Sequence, residues 1–180
     1  MEEPYDANCE DPHMPTATSG EASVHICAPP EAVYDLIADI TRMGERSPEC
    51  YRAEWLDGAE WIERDGTADV GTRFRGHNRI GFIKWATTCN ITAAERGHKF
   101  AFSVVDRHGR EETRWLYAIS PDRGGCTVTE SYQFLWCPVA ARIAELPFPR
   151  DRQLRRGIGQ TLANLKATAE QQVSRDASSA

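Results

Sequence analysis

Polar and apolar positions begin to alternate at Ala22: Val24 and Ile26 fall on one face, Ser23 and His25 on the other. That is the period of a half-buried strand. Pro29-Pro30 stops it. Ala32, Val33, Leu36, Ile37 and Ile40 then return at helical spacing and predict a short helix over roughly 30–39. Proline suits its first turn, and Glu31 favours its positive end. A second short helix is expected from Ile40 to Ser47, ended by Pro48.

Strand-like runs follow near 50–56 and at about 71–79, 82–93, 98–106, 111–120 and 126–136. The polar stretch Asp57 to Asp69 between the first two reads as a loop turning at Gly58 and Gly66. The later connections, at Gly81, His108-Gly109 and Pro121 to Gly125, are short enough only for antiparallel hairpins. Pro138, Pro147 and Pro149 bracket a short apolar piece, Val139 to Leu146. From Asp151, whose side chain can cap a helix, Leu154, Ile158, Leu162, Leu165 and Ala169 recur at spacings of three and four. With Arg155, Arg156, Lys166 and Glu170 largely elsewhere, this predicts an amphipathic helix over about 151–172.

The order defines an α+β chain: one strand, two short helices, further antiparallel strands making six to seven in all, and one long C-terminal helix. A curved sheet of that size must bury its apolar face, and only the terminal helix is long enough to cover it. Space left where sheet curls around helix is the natural pocket. Met1 to Gly20 and Ser174 to Ala180 are too poor in apolar residues to offset their ordering entropy. They are read as a disordered arm and tail around a domain at 21–173.

Composition narrows the function. The chain has 180 residues, 41% hydrophobic and 27% charged, with a net charge of −6. That acidity argues against nucleic acid as a partner, since its binding rests on neutralising phosphates. No apolar run approaches the roughly 18 residues of a membrane span. The first residues lack a basic start and an apolar stretch, so no export signal is read and a cytoplasmic location is expected. The six cysteines form no C-x-x-C pair and match no zinc spacing. They are expected to be reduced, acting as small hydrophobes. The five histidines show no ligand spacing. There is no nucleophile elbow, phosphate loop or H-E-x-x-H, so neither a metal nor a cofactor is expected. Gly157-x-Gly159 lacks the preceding strand and third glycine of a dinucleotide site. Inside a helix each glycine costs about 0.8–1 kcal/mol relative to alanine, which suggests that the helix bends there or that a bulky sheet residue or ligand approaches.

Strand parity selects the pocket candidates. Val128, Glu130, Tyr132 and Phe134 share a face that is mostly large and apolar, which turns Glu130 inward. A carboxylate in such company must be paired, hydrated or protonated. The neighbouring strand presents Trp115, Tyr117 and Ile119 together, and Tyr117 would bring a hydroxyl. Thr87 and Cys89, in line with Trp85 and Ile91, are small enough to leave room for a ligand. Phe102 lies with Phe100 and Val104, and Phe74 with Gly76 and the polar Asn78. Ile158 and Leu162 close the pocket from the helix. Arg73, Arg75, His77 and Arg79 then form an outward basic stripe, read as a solvated face.

Four segments carry a family resemblance: Val24-x-Ile-x-Ala-Pro-Pro-Glu-Ala-Val-Tyr34, Ser47-Pro-Glu-Cys50, Gly71-Thr-Arg-Phe-Arg-Gly-His-Asn-Arg79 and Gly124-Gly-Cys-Thr-Val-Thr-Glu-Ser-Tyr132. Over about Ala22 to Gln171 the chain resembles the SRPBCC superfamily, the START or birch-pollen-allergen-like helix-grip proteins. Within it, the chain looks most like actinobacterial polyketide cyclase/dehydrase-like members. The Glu-Ser-Tyr run is similar to that of plant abscisic-acid receptors, where the matching glutamate lines the ligand cavity through water. The resemblance implies a sheet-and-helix cavity for a small hydrophobic molecule, a lipid, polyketide or similar metabolite. Three readings follow: a binding module, a cyclase/dehydratase-type enzyme using Glu130 or Tyr117 for proton transfer, or an interaction module whose pocket is filled. Fold alone does not choose among them.

Overall fold

The computed structural model describes residues 19–56, 69–135 and 150–179. Seven antiparallel strands form one sheet: β1 (Ser19–Ile26), β2 (Cys50–Trp55), β3 (Arg73–Ile80), β4 (Ile83–Glu95), β5 (Lys99–Val105), β6 (Glu111–Asp122) and β7 (Gly125–Phe134). Their spatial order is β1-β7-β6-β5-β4-β3-β2. Hairpins therefore join β3 through β7 in sequence, while β1 crosses to pair with β7 at the far edge. The segment between β1 and β2 makes that crossing as helix α1 (Pro30–Ala38), a 3-10 turn (Ile40–Arg42) and helix α2 (Met43–Arg46). Helix α3 (Arg150–Ser179) completes the helix-grip arrangement that the hydrophobic pattern predicts.

Local chemistry accounts for these boundaries. Pro30 opens α1 without forfeiting a hydrogen bond. Val33, Tyr34, Leu36, Ile37 and Ala38 form its buried face. The Asp39 carboxylate accepts from the Thr41 backbone N–H and starts the next turn. Gly44 then lets α2 lie directly on the backbone of Tyr51, where any Cβ would collide with the Tyr51 carbonyl. This contact brings the end of α2 and the Ser47–Cys50 turn over one end of the sheet.

Leu154, Ile158, Leu162, Leu165 and Ala169 are all buried, the face expected of α3. The helix makes its closest approach along β1 and also meets β7, α1 and α2. Two boundaries differ from the pattern-based reading. Ser19 and Gly20 belong to β1, paired with Gln133 and Tyr132. The polar end from Ser174, expected to be disordered, continues the helix to Ser179. Val173 packs on the core, and the Ser174 and Ser178 hydroxyls donate to carbonyls one turn back. The arm before Ser19, most of the Asp57 to Asp69 loop and the Val139 to Leu146 piece lie outside the described residues.

Gly157 borders open space between helix and sheet, where a ligand can approach, whereas Gly159 has no close neighbour. A Cβ on Gly157 would meet only Pro48 Cγ at 3.7 Å, and one on Gly159 would meet nothing within 4 Å. Gly159→Ala is therefore expected to stabilise the protein by about 0.8–1 kcal/mol. Thermal denaturation should show the melting temperature rising by about 2–4 °C; an unchanged or lower value would mean that the helix needs a glycine there.

Candidate ligand-binding site

Where α3 leans on β1, the sheet curves away from it at β3 to β6, and a cavity of about 490 Å³ opens between them. Most of its wall is apolar. Phe74, Phe102, Trp115 and Phe134 come from four strands, Leu154 and Ile158 from α3, and Met43 and Pro48 from the segment over the mouth. The aromatic rings form a continuous row across the sheet. Trp55, Phe74, Phe102, Trp115, Tyr132 and Phe134 follow one another with centroids 5.2–6.4 Å apart. Such ring-to-ring packing holds the wall rigid.

The polar groups are few. Tyr117 and Glu130 are cross-strand partners, and the Tyr117 hydroxyl donates to Glu130 Oε1 at 2.8 Å. Glu130 is only 3% exposed. Burial pushes its carboxyl up to about 8, against the opposing pull of the Tyr117 hydrogen bond and the Arg46 charge. At neutral pH it is therefore mainly the uncharged acid. Its Oε2 has no hydrogen-bond partner among the described residues. Burial and the adjacent Glu130 carboxyl hold Tyr117 well above the usual phenol range, so its hydroxyl keeps its proton. Arg46, buried at the end of α2, donates from Nη2 to the Asp39 carbonyl at 3.2 Å. Its Nη1 has no partner among the described residues, and burial lowers its pKa.

Asn78 Nδ2 donates to Thr87 Oγ1 at 3.3 Å on the β3–β4 side. Gly76 between them leaves the floor low: a Cβ there would stand 3.3 Å from Thr87 Oγ1 and 3.6 Å from Cys50 Sγ. Burial raises the Cys50 thiol to about 11 and the Cys89 thiol to about 12. Both stay protonated and behave as hydrophobes, not nucleophiles. Glu112 also lines the cavity, beside a register shift in the β5–β6 pairing. Burial raises its pKa, helped by the Asp106 charge.

Most of the residues selected by strand parity and helical spacing thus meet in one space: Glu130, Tyr117, Trp115, Asn78, Phe74, Thr87, Cys89, Phe102 and Ile158 all line it. Tyr132 and Leu162 do not. The Tyr132 ring covers Gly20, where a Cβ would fall 2.7 Å from Cε1, so it seals the sheet edge instead. Leu162 is buried on the β1 side of α3, beside Ala22 and Val24. Pro48, Thr161 and Glu112, which also line the cavity, escaped the sequence reading, as did Arg46, whose charge acts on Glu130 from outside the lining. Only Pro48, in the Ser-Pro-Glu-Cys run, carried a local signal. The stripe of Arg73, Arg75, His77 and Arg79 points outward as expected, with His77 bound to Glu54 at 3.0 Å.

Among the described residues no cluster of histidine, cysteine, aspartate or glutamate could hold a metal ion. No described helix is long and apolar enough to cross a membrane.

A long helix gripped by a curved antiparallel sheet around an apolar cavity with one buried acid defines a helix-grip protein of the SRPBCC kind. The chain belongs to the family described as "Polyketide cyclase / dehydrase and lipid transport", whose model matches residues 17–170. Among solved structures it is similar to the Polyketide_cyc-like protein Cgl2372 from Corynebacterium glutamicum. That pair shares 30% identity over 90% of this chain and 97% of the other, with a TM-score of 0.56. This agrees with the actinobacterial branch that the sequence resembles. The di-domain ARO/CYC StfQ from the steffimycin biosynthetic pathway superposes with a TM-score of 0.66. At 14% identity over 88% of this chain and 52% of that protein, it speaks for the fold alone. DR_A0006 from Deinococcus radiodurans has a TM-score of 0.59 and 17% identity, covering 85% of this chain and 98% of its own. No curated protein matches the chain.

Proposed function

We propose that the chain binds a small, uncharged, largely apolar molecule in this cavity, with an oxygen of the ligand set against Glu130. One observation carries the reading: a buried carboxyl with an unused Oε2, kept uncharged by its burial, in a largely apolar space. A neutral acid donates to a carbonyl or hydroxyl oxygen, while the apolar wall supplies affinity and disfavours charged ligands. The cavity volume falls within the ~300–1,000 Å³ of pockets that hold drug-sized molecules. Nine-residue convergence of Glu130, Tyr117, Asn78, Phe74, Thr87, Cys89, Phe102, Trp115 and Ile158 supports treating them as the ligand shell. The open space argues against the reading of a filled pocket. Free thiols at Cys50, Cys89 and Cys126 support a reducing, cytoplasmic setting.

A second reading has its own support. A carboxyl poised near 8 is suited to general acid–base work at physiological pH. In a polyketide cyclase or dehydratase, Glu130 would exchange a proton with a ligand carbonyl while the cavity folds the chain, proximity supplying much of the rate.

Organic extracts of the protein purified from its own cells, analysed by mass spectrometry, test both. A neutral, oxygen-bearing hydrophobic molecule is expected. Conversion of an added poly-ketone to a product lighter by water would favour the enzyme. Recovery of only anionic or cationic ligands would sink the proposal.

A further inference from the structure

The β3–β4 hairpin turns at Gly81, with φ of +56°, and carries two large apolar residues at its apex. Phe82 is completely exposed, at 105%, and Ile83 is 70% exposed. Neither takes part in the core. Hairpin turns are ordinarily polar, and adjacent apolar side chains at a tip invite self-association unless they meet an apolar partner.

The surroundings define that partner. Arg79 and Lys84 face each other across the hairpin directly behind the tip. Each holds its cation 5.8 Å from the centroid of the Tyr51 ring, and Tyr51 is itself 44% exposed. Arg75 extends the positive charge along the same outer face of β3. Glu54 on the neighbouring strand is taken up by Arg52 and His77. An apolar apex, a collar of cations and an aromatic ring at collar height match the three layers of an anionic bilayer surface: acyl boundary, headgroup phosphate and interface. The chain as a whole carries −6 and is repelled by such a surface. The attraction must therefore be local, and this hairpin concentrates it.

Its place in the fold gives the contact a use. Asn78 and Trp85, the next pair behind the collar, line the cavity. The Arg79 N–H donates to the Glu49 carbonyl at 2.9 Å, tying the hairpin to the Pro48–Glu49 rim of the same cavity. A tip seated in lipid would bring that rim to the membrane surface.

We propose that the β3–β4 tip is a peripheral membrane contact: Phe82 and Ile83 enter the interface of an anionic bilayer, and Arg79 and Lys84 bind its headgroups. The contact stands whether or not the cavity binds a ligand.

Co-sedimentation of the full chain with phosphatidylglycerol–phosphatidylcholine vesicles, against phosphatidylcholine alone, tests it. The parent should sediment with the anionic vesicles only, and less as salt is raised. Phe82→Ser should weaken partitioning about tenfold, the loss of one buried aromatic side chain. Arg79→Gln and Lys84→Gln should each weaken it about fivefold. Arg123→Gln, at the opposite end of the sheet, should leave it unchanged. All four positions are exposed, so unaltered melting curves will show that the variants fold. Equal binding to both vesicle types, no binding to either, or indifference to Phe82→Ser would overturn the proposal. So would a concentration-dependent dimer abolished by Phe82→Ser, which would give the tip to a second copy of the chain.

Discussion

Glu130→Gln is expected to melt well above the parent at pH 8 and close to it at pH 5. Glu130 has its carboxyl raised from 4.5 to about 8 by burial. Between those values the folded chain holds a proton that the unfolded chain has released. Stability must then fall as pH rises from about 4.5 to about 8 and level off beyond. Glutamine keeps the shape, still accepts from Tyr117 and never ionises, so the variant lacks this slope. The difference at pH 8 should reach a few kcal/mol, from 1.36 kcal/mol per unit discounted for relaxation around the site. Thermal melts of both proteins from pH 5 to 9 measure it. A flat parent profile, or a variant less stable at pH 8, would mean that Glu130 is ionised and paired. The same variant separates the two functional readings. Its amide can still donate to a ligand oxygen, so affinity should change less than about tenfold. It cannot transfer a proton, so an enzyme should lose on the order of 10²–10⁴ in turnover.

Thr87→Trp is expected to weaken binding at least tenfold while leaving the fold intact. Thr87 stands over Gly76, at the low part of the cavity floor. An indole there would occupy space that is now empty. Overpacking a filled core costs typically 1–3 kcal/mol, and an open cavity relieves most of that strain. Titration with the uncharged probe N-phenyl-1-naphthylamine, or with whatever molecule co-purifies, should show affinity down at least tenfold. The melting temperature should move by only a few degrees. Undiminished binding would place the ligand outside this cavity.

Much of this was legible in the chain because two periods carry it. Alternation in Val128, Glu130, Tyr132 and Phe134 named the inner face of β7, and the spacing from Leu154 to Ala169 named the buried face of α3. Short turns at Gly81 and His108-Gly109 made the hairpins unavoidable. Strand parity chose eight residues that line the cavity, and helical spacing added Ile158. Parity identifies a face but not what lies opposite it. Tyr132 obeys the alternation yet closes the β1 edge over Gly20, and Leu162 lies on the helix face yet packs toward β1. Arg46 ends the four-residue helix α2, and nothing in its local sequence marks it as buried. It is buried because Gly44 seats that helix on the Tyr51 backbone, a contact between strangers in the sequence.

Local order along the chain therefore determined the strands, the hairpins, the gripping helix and the inward carboxylate, since each depends on residues a few positions apart. Only the tertiary structure decided that α3 leans toward β1 and leaves a void over β3 to β6. The same packing decided that Glu130 is desolvated enough to keep its proton, and which side chains share its space. Those outcomes depend on distances between elements that are far apart in the chain. Such distances are set by the joint packing of many side chains, which no single segment encodes.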